Sequence, residues 1–570
     1  MTRRPLPALR AGQSGAIAVI AAVTLVVAVL VTALVVDIGR LVFDRQKLQG
    51  VADAAALAGA TELARQGDQA AVTAAAQMAA LQNGYEGDLG AEAEAVALGH
   101  MISEEGIRGF APGAPLNAVQ VTATKTLPRS LIAGGLLPGD VTLTARAVAH
   151  QESVAGLQVG SFLLGVDSER SAVLNVLLSG LLGGSVKLDA VAYSGMINAF
   201  VSLQALIEAD GRVGTVQELL DLDLSLAEAL QIMAQALQNQ GDAAAVYVNQ
   251  LALVTNPALN LSLGELLFVE RGAEAALEAM LNVFDLVMAM AQVANQGHAV
   301  ELDFAGSGLL SALGLANLDV TLWLIEPPRI AIGPPGRDAD TGEWLTWAEN
   351  GQVSLDVRLE TLSINIGLIA TRVNLDMFVD AARADAALAA VTRATPSDPF
   401  DRAEVEATTK IARIGIGRRV NGTMSPSILV DVHERELGIT VTRLYATALA
   451  DVTVGDPLAQ PVHFTGPFVP AIDTPSPGNT QRIGTDADAA LNQAIANLLA
   501  DLEIYVDANL IGIGLSVEEV RLLLLGVVTD VVNGVVPQVL APLLKALGTD
   551  LGGADITIFY LDAGEPRLIQ

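Results

Sequence analysis

Residues Gly15 to Val36, GAIAVIAAVTLVVAVLVTALVV, run without a single charge. At 1.5 Å rise per residue, about 20 apolar residues cross the roughly 30 Å of hydrocarbon in a bilayer, so this run is long enough to span one. A cleaved secretion signal has a shorter core, about 7–15 residues, and ends at a small-x-small site. Val35, Val36, Asp37 and Ile38 offer no such site. Arg3 and Arg4 resemble a twin-arginine signal, but the rest of that export context is weak. We therefore read residues 15–36 as an uncut transmembrane helix that takes the lipid bilayer as its partner, preceded by a basic tail over residues 1–14. Arg3, Arg4 and Arg10 precede the span, while Arg40, Arg45 and Lys47 follow it, so the basic count on the two sides is tied. The short tail is uniformly basic, which favours its retention in the cytoplasm and the export of everything beyond the span.

A chain of 570 residues is long enough for two or more domains. It carries 63 acidic against 32 basic residues, a formal charge of -31. Such a surface repels nucleic acid and anionic lipid headgroups, which excludes nucleic acid as a partner of the bulk. With no cysteine, disulfides, thiol nucleophiles and thiolate metal sites are excluded. Export is not. Aromatic residues make up only 4% of the chain, so the folded part packs through Leu, Val, Ile and Ala.

Nothing between Val36 and Asp37 breaks a helix, and the helical pattern continues over residues 37–82, which predicts a rigid juxtamembrane stalk. Within it, Ala52 to Ala60 read ADAAALAGA and present almost no side-chain bulk. Two readings are open there: a close helix–helix contact, or a plain solvent-facing helix made of a good helix former. Residues 117–200 open a small strand-rich region, because Val119, Val121 and Ala123 alternate with polar residues. Glycines at 180, 183 and 184 leave Leu174 to Gly184 without a clear pattern.

Residues 203–297 read as helical. Ser225 with Glu228, and Ser262 with Glu265, have capping-box spacing, and Ala273 to Ala294 read as one long helix, amphipathic or largely buried, with Met280, Met288 and Met290 as core filler. Residues 318–470 alternate as strands of an antiparallel or mixed sheet with one apolar face, as at Val353, Leu355, Val357 and Leu359. Residues 485–570 return to helix and end on a strand. There the stretch Leu522 to Leu544 is also long enough to span, but Asp530 and two prolines interrupt it and Ser516 with Glu518 and Glu519 caps it, so it reads as a core helix. The fold class is α+β: a transmembrane helix, a helical stalk and a mixed helix and sheet body.

No phosphate loop, dinucleotide fingerprint or HExxH is present. His100, His150, His298, His433 and His463 lack ligand spacing, and His433 beside Glu434 would point to opposite faces of a strand. Asp338, Asp340 and Glu343 sit in a Gly/Pro-rich turn but miss the spacing of an EF-hand loop. Ser179 and Ser185 lie near glycines without the G-x-S-x-G elbow. The expectation is no catalytic residue, no cofactor and no metal site.

The motif VDIGR followed by LQGVADAAALA resembles the N-terminal region of TadG-like proteins of Flp (tight adherence) pilus assembly. The family pattern falls on Gly15 at the start of the span, then Val36, Asp37, Gly39 and Arg40, then Leu48, Gln49, Ala52, Asp53, Ala54, Ala55, Ala56, Leu57 and Ala58. Segments such as IEPPRIAIGPPG and LGGADITIFYLDAGEPRLIQ resemble an uncharacterised bacterial domain that is joined to this N-terminus in other predicted membrane proteins. The position five beyond Gly15 is Ile20 rather than the glutamate of type IV-like prepilins, which argues against processing into a pilin. The DxSxS motif of a von Willebrand A metal site is absent. The resemblance implies a non-enzymatic, membrane-anchored envelope protein that supports Flp pilus assembly or anchoring, with other pilus-assembly or envelope proteins as partners. An extracytoplasmic binding or adhesion module, calcium-assisted through the acidic sheet region, is the alternative; a hydrolase built from distant carboxylates is a third reading that no spacing recommends.

Overall fold

The computed structural model describes residues 14–569, apart from 66–67, 92–93, 105–106, 114–115, 131–138, 152, 161–167, 270–276, 339–340, 367–368, 382, 395–398, 421–422, 437–439, 456, 469–478, 486, 510–514, 550 and 565. Helix takes 40% and strand 38% of the chain, an α+β composition. The chain divides into two compact units, Met1–Glu152 with Glu565–Gln570, and Ser153–Gly564. The second is therefore inserted before the last residues of the first. The region expected over 117–200 is split by this division.

The first unit begins with helix α1 (Ser14–Leu63), which carries the uncharged run and is a candidate membrane span. It does not continue to residue 82 as one stalk. A second helix, α2 (Gln69–Gln82), starts afresh where the Asp68 carboxylate accepts from the Ala71 amide at 2.8 Å, and it packs back on α1. An aspartate at this position satisfies a backbone N–H that a continuous helix would have paired internally. Four strands follow: β1 (Val96–Glu104), β2 (Ile107–Pro112), β3 (Ala118–Pro128) and β4 (Asp140–His150). They pair antiparallel in the order β2-β1-β3-β4, and the terminal strand Arg567–Leu568 adds to the free edge of β4. Val119, Val121, Ala123, Ala145, Ala147 and Ala149 form the sheet's buried face, and the inward side of α1 and Val72, Ala76 and Ala80 of α2 complete one core.

The second unit holds an eight-stranded antiparallel sheet. Its central strands Leu315–Glu326, Gln352–Thr361 and Asn374–Asp380 each bury alternate residues, such as Leu318, Val320, Leu322 and Leu324. Helices cover that face, contributing Leu174, Leu177 and Leu178, Val287 and Met290, Ala494 and Leu498, and Val520, Leu524 and Val528. Strand Val154–Gly160 is buried on both faces: Val154 joins this core, while Ala155, Leu157 and Val159 face a second core shared with the sheet that contains Ala384–Thr392 and Arg402–Thr409.

Three local expectations change. Leu174 to Gly184 lies mostly within helix Ser168–Leu182; Gly180 is there because a Cβ would meet Leu302 Cδ2 at 2.6 Å, so the glycine buys close approach rather than a break. The long helix expected from Ala273 is Val283–Ala294, preceded by strand Met280–Asn282 and by residues 270–276 outside the described set. Ser225 and Ser516 both form complete capping boxes, but Ser262 makes no cap bond; its hydroxyl donates to the Leu220 carbonyl at 3.1 Å, and the helix it opens has 4 residues. The Leu522–Leu544 stretch falls in helix Val517–Val535 and its continuation, with Leu524, Val528, Val532 and Val535 in the core. By length and composition alone it also passes as a candidate span.

Candidate functional site

The motif residues gather along one helix, and its inward side is set by residue size. Burial on α1 begins at Ala33, 7% exposed, and continues through Asp37 and Leu48 to Val51, Ala52, Ala55, Ala56 and Ala60. With alanine at these positions, β3, β4 and α2 close onto the helix backbone. Gly59 marks the tightest approach: a Cβ there would lie 3.0 Å from Val119 Cγ1 and 3.4 Å from Val72 Cγ1. The alanine-rich segment is thus packed inside its own unit, against both a sheet and a helix. Gln49 ties the same helix to β4, donating to Asp53 Oδ1 at 2.8 Å and to the Arg146 carbonyl at 3.0 Å. Asp53, Ala54, Leu57 and Ala58 are half-buried beside this face.

The juxtamembrane charges turn the same way. Asp37 accepts a hydrogen bond from the Ser130 hydroxyl, and the Arg40 guanidinium donates to the Pro128 carbonyl. One turn further on, Asp44 pairs with Lys125 at 3.1 Å, with the carboxylate side chain 16% exposed. The end of β3 and the residues just after it thus run beside the first turns of α1 beyond the span and take up its charges in sequence. Tyr85 is buried above this joint, and its hydroxyl accepts from the Thr124 amide at 3.3 Å. A cleft of about 280 Å³ lies between Asp44, Lys47, Tyr85 and Lys125. What it offers is a charge-paired joint between helix and sheet. Of the remaining motif positions, Val36 is exposed, Gly39 has open space where a Cβ would stand, and Gly15 lies in the first turn of α1. The signal for Asp37 and Arg40 was in the sequence, but their partners lie about ninety residues away and were not.

The polar sites of the second unit read as clamps. Arg383 bonds Glu326 at 2.5 Å, Glu349 at 2.9 Å and Asp385 at 2.6 Å, joining three strands. Burial opposes its charge, yet the hydrogen bonds to Asp385 and Glu326 outweigh that and hold its pKa above the usual range. Arg329 is stacked between Phe268 and Trp347, at 4.4 and 4.0 Å from the ring centroids. A small cavity of about 40 Å³ is bounded by Gln158, Asp285, Gln292 and Lys545. Asp285 is half-buried at this cavity, and desolvation pushes its carboxyl up to about 6, against the hydrogen bond from Gln158 at 3.1 Å, which acts the other way.

The residues considered for chemistry are spread through the fold. Ser179 Oγ accepts from the Val186 amide at 2.8 Å and holds a helix end. Asp338 accepts from the Thr341 amide and hydroxyl at 2.8 and 3.0 Å, which commits its carboxylate to a turn; Asp340 lies outside the described residues. His433 and Glu434 are neighbours on strand Ser427–Glu436, and their side chains are outside the described set. Among the described residues no group of three His, Asp or Glu is arranged to hold a metal ion.

A family model described as TadE/G-like Flp pilus assembly matches residues 15–62. A second, described as Tad-like Flp pilus assembly, matches residues 54–149. The two together run from the apolar run to the end of β4, all within one compact unit. Over residues 15–149 the N-terminal unit is TadG-like, similar to Flp pilus-assembly proteins of that kind. The joint built by Asp37, Arg40 and the alanine face lies within the residues that the two models match, and those matches support a part for the chain in Flp pilus assembly. Both models stop before Ser153, where the second unit begins. No curated protein and no solved structure matches the chain.

Proposed function

We propose that the chain is a membrane-anchored, non-enzymatic component of Flp pilus assembly, held in the cytoplasmic membrane by residues 15–36. The basic tail is on the cytoplasmic side, and both folded parts are outside. The observation that carries this reading is the coincidence, in one unit, of an uncharged helix with the two pilus-assembly matches. Beyond Val36 the helix is committed to a folded sheet through its inward charges, so the anchor and the first folded unit are one rigid element. The roles of the motif residues follow from this: Asp37 and Arg40 fix the helix to the sheet at the membrane exit, and Leu48 to Ala58 form the packed stem. Partners are other pilus-assembly or envelope proteins. Deletion of the gene is expected to abolish or strongly reduce Flp piliation and surface adherence, and full-length chain supplied in trans is expected to restore them. Normal piliation in the deletion strain contradicts the assembly role.

A further inference from the structure

Beyond the span, α1 has two sides of different character. Asp37, Arg40, Asp44 and Leu48 recur at spacings of three and four and so lie along one side of the helix, turned into the TadG-like unit and partnered there. The opposite side carries Ile38, Gly39, Val42, Phe43 and Gln46, with Arg45 at its border beside Ile38. Ile38, Val42 and Phe43 are 52%, 51% and 67% exposed, the same range as Leu34 at 58% and Val35 at 63% inside the apolar run. An exposed helix side of a strongly charged protein is ordinarily polar. This one continues the lipid-facing surface of the span past the point where charges begin.

We propose that Ile38, Val42 and Phe43 lie in the headgroup layer on the outer face of the cytoplasmic membrane, so that the TadG-like unit rests on lipid in one fixed rotation. This rests on the reading of residues 15–36 as an anchor. The distances fit. Phe43 is seven residues past Val36, about 10 Å along the axis. Helical side chains lean back toward the N-terminus, here toward the membrane. The headgroup layer is about 5–8 Å deep on each side, so Ile38, about 3 Å past Val36, falls within it, while Val42 and Phe43, about 9 and 10 Å past Val36, reach its outer edge by leaning back. Aromatic rings favour that zone. Arg45, exposed beside Ile38 on the helix surface, is positioned to meet lipid phosphates with its guanidinium. Continuity with the span selects lipid over a protein partner as the occupant, because the same side of the same helix is already lipid-facing one turn earlier.

The absence of cysteine permits a direct test in the full-length chain. Single variants Phe43→Cys and Val42→Cys, both at exposed positions, are nitroxide-labelled in liposomes, with Leu25→Cys as a mid-span reference and Met78→Cys on the exposed side of α2 as an aqueous one. Spin-label accessibility to oxygen and to a water-soluble nickel chelate then reports depth. The expected result is nickel accessibility several-fold lower at residues 42 and 43 than at 78, with oxygen accessibility between those of residues 25 and 78. Nickel accessibility equal to that at residue 78 overturns the proposal while leaving the anchor intact, provided residue 25 is oxygen-rich. Low accessibility to both reagents at 42 and 43 means that protein covers this face, which also overturns it. A nickel-accessible residue 25 removes the anchor and the proposal together.

Discussion

At the scale of single residues, the charges that the fold pins with a named partner make predictions. Asp37 is 8% exposed and takes a hydrogen bond from Ser130. A hydrogen bond to a charged group contributes about 1.5–3 kcal/mol, so Ser130→Ala is expected to lower the stability of the TadG-like unit by that order, read as a lower melting temperature. Gly59 tests packing: Gly59→Leu drives side-chain atoms into Val119 and Val72 and is expected to cost about 1–3 kcal/mol from overpacking. Asp285 tests desolvation. Its folded pKa of about 6 stands above the ordinary 3.8 because burial disfavours the charge. The folded state therefore holds the proton more tightly than the unfolded one. The stability this brings is complete below about pH 4 and is lost as pH rises through about 6. Asp285→Asn keeps an acceptor for Gln158 and removes the ionisation, so the variant is expected to be about 1–3 kcal/mol more stable at pH 7 and flatter between pH 4 and 7. Denaturant titrations at several pH values give the answer. An unchanged pH profile contradicts the desolvation.

At the scale of elements, legibility followed locality. The capping boxes at Ser225 and Ser516 were readable because both partners lie three residues apart, and each carboxylate bonds its serine in the fold. Ser225→Ala and Ser516→Ala are each expected to cost about 1 kcal/mol, measured by denaturant unfolding. The same spacing at Ser262 and Glu265 misled, because Ser262 is held by the distant Leu220 carbonyl and only a short helix follows. The start of α2 was written in the sequence as Asp68, a capping residue, yet alanine-rich helices on both sides masked it. Gly180 lies in a run, Leu174 to Gly184, that the sequence left without a clear pattern. A glycine that reads as a breaker is there to admit Leu302. Why ADAAALAGA is so small was also undecided from sequence; the sheet and α2 that close on it supply the reason.

At the scale of the whole molecule, the uncharged run and the α+β class were legible because each is a statement about composition and period. The division into units was not. Residues 567–568 return to pair with β4 after more than four hundred residues of a separate fold, a long-range pairing that no local pattern announces. The two units keep separate cores, so residues 153–564 expressed alone are expected to fold, with helix and strand signals by circular dichroism and cooperative melting. The central claim concerns where the molecule sits. The most direct test is membrane fractionation of a C-terminally tagged full-length chain, with protease added to spheroplasts and the intact mass recorded. The account predicts an uncut, membrane-bound chain whose body is digested from outside without breaching the membrane. A chain released as soluble protein, trimmed after Gly15, or digested only after the membrane is opened contradicts it.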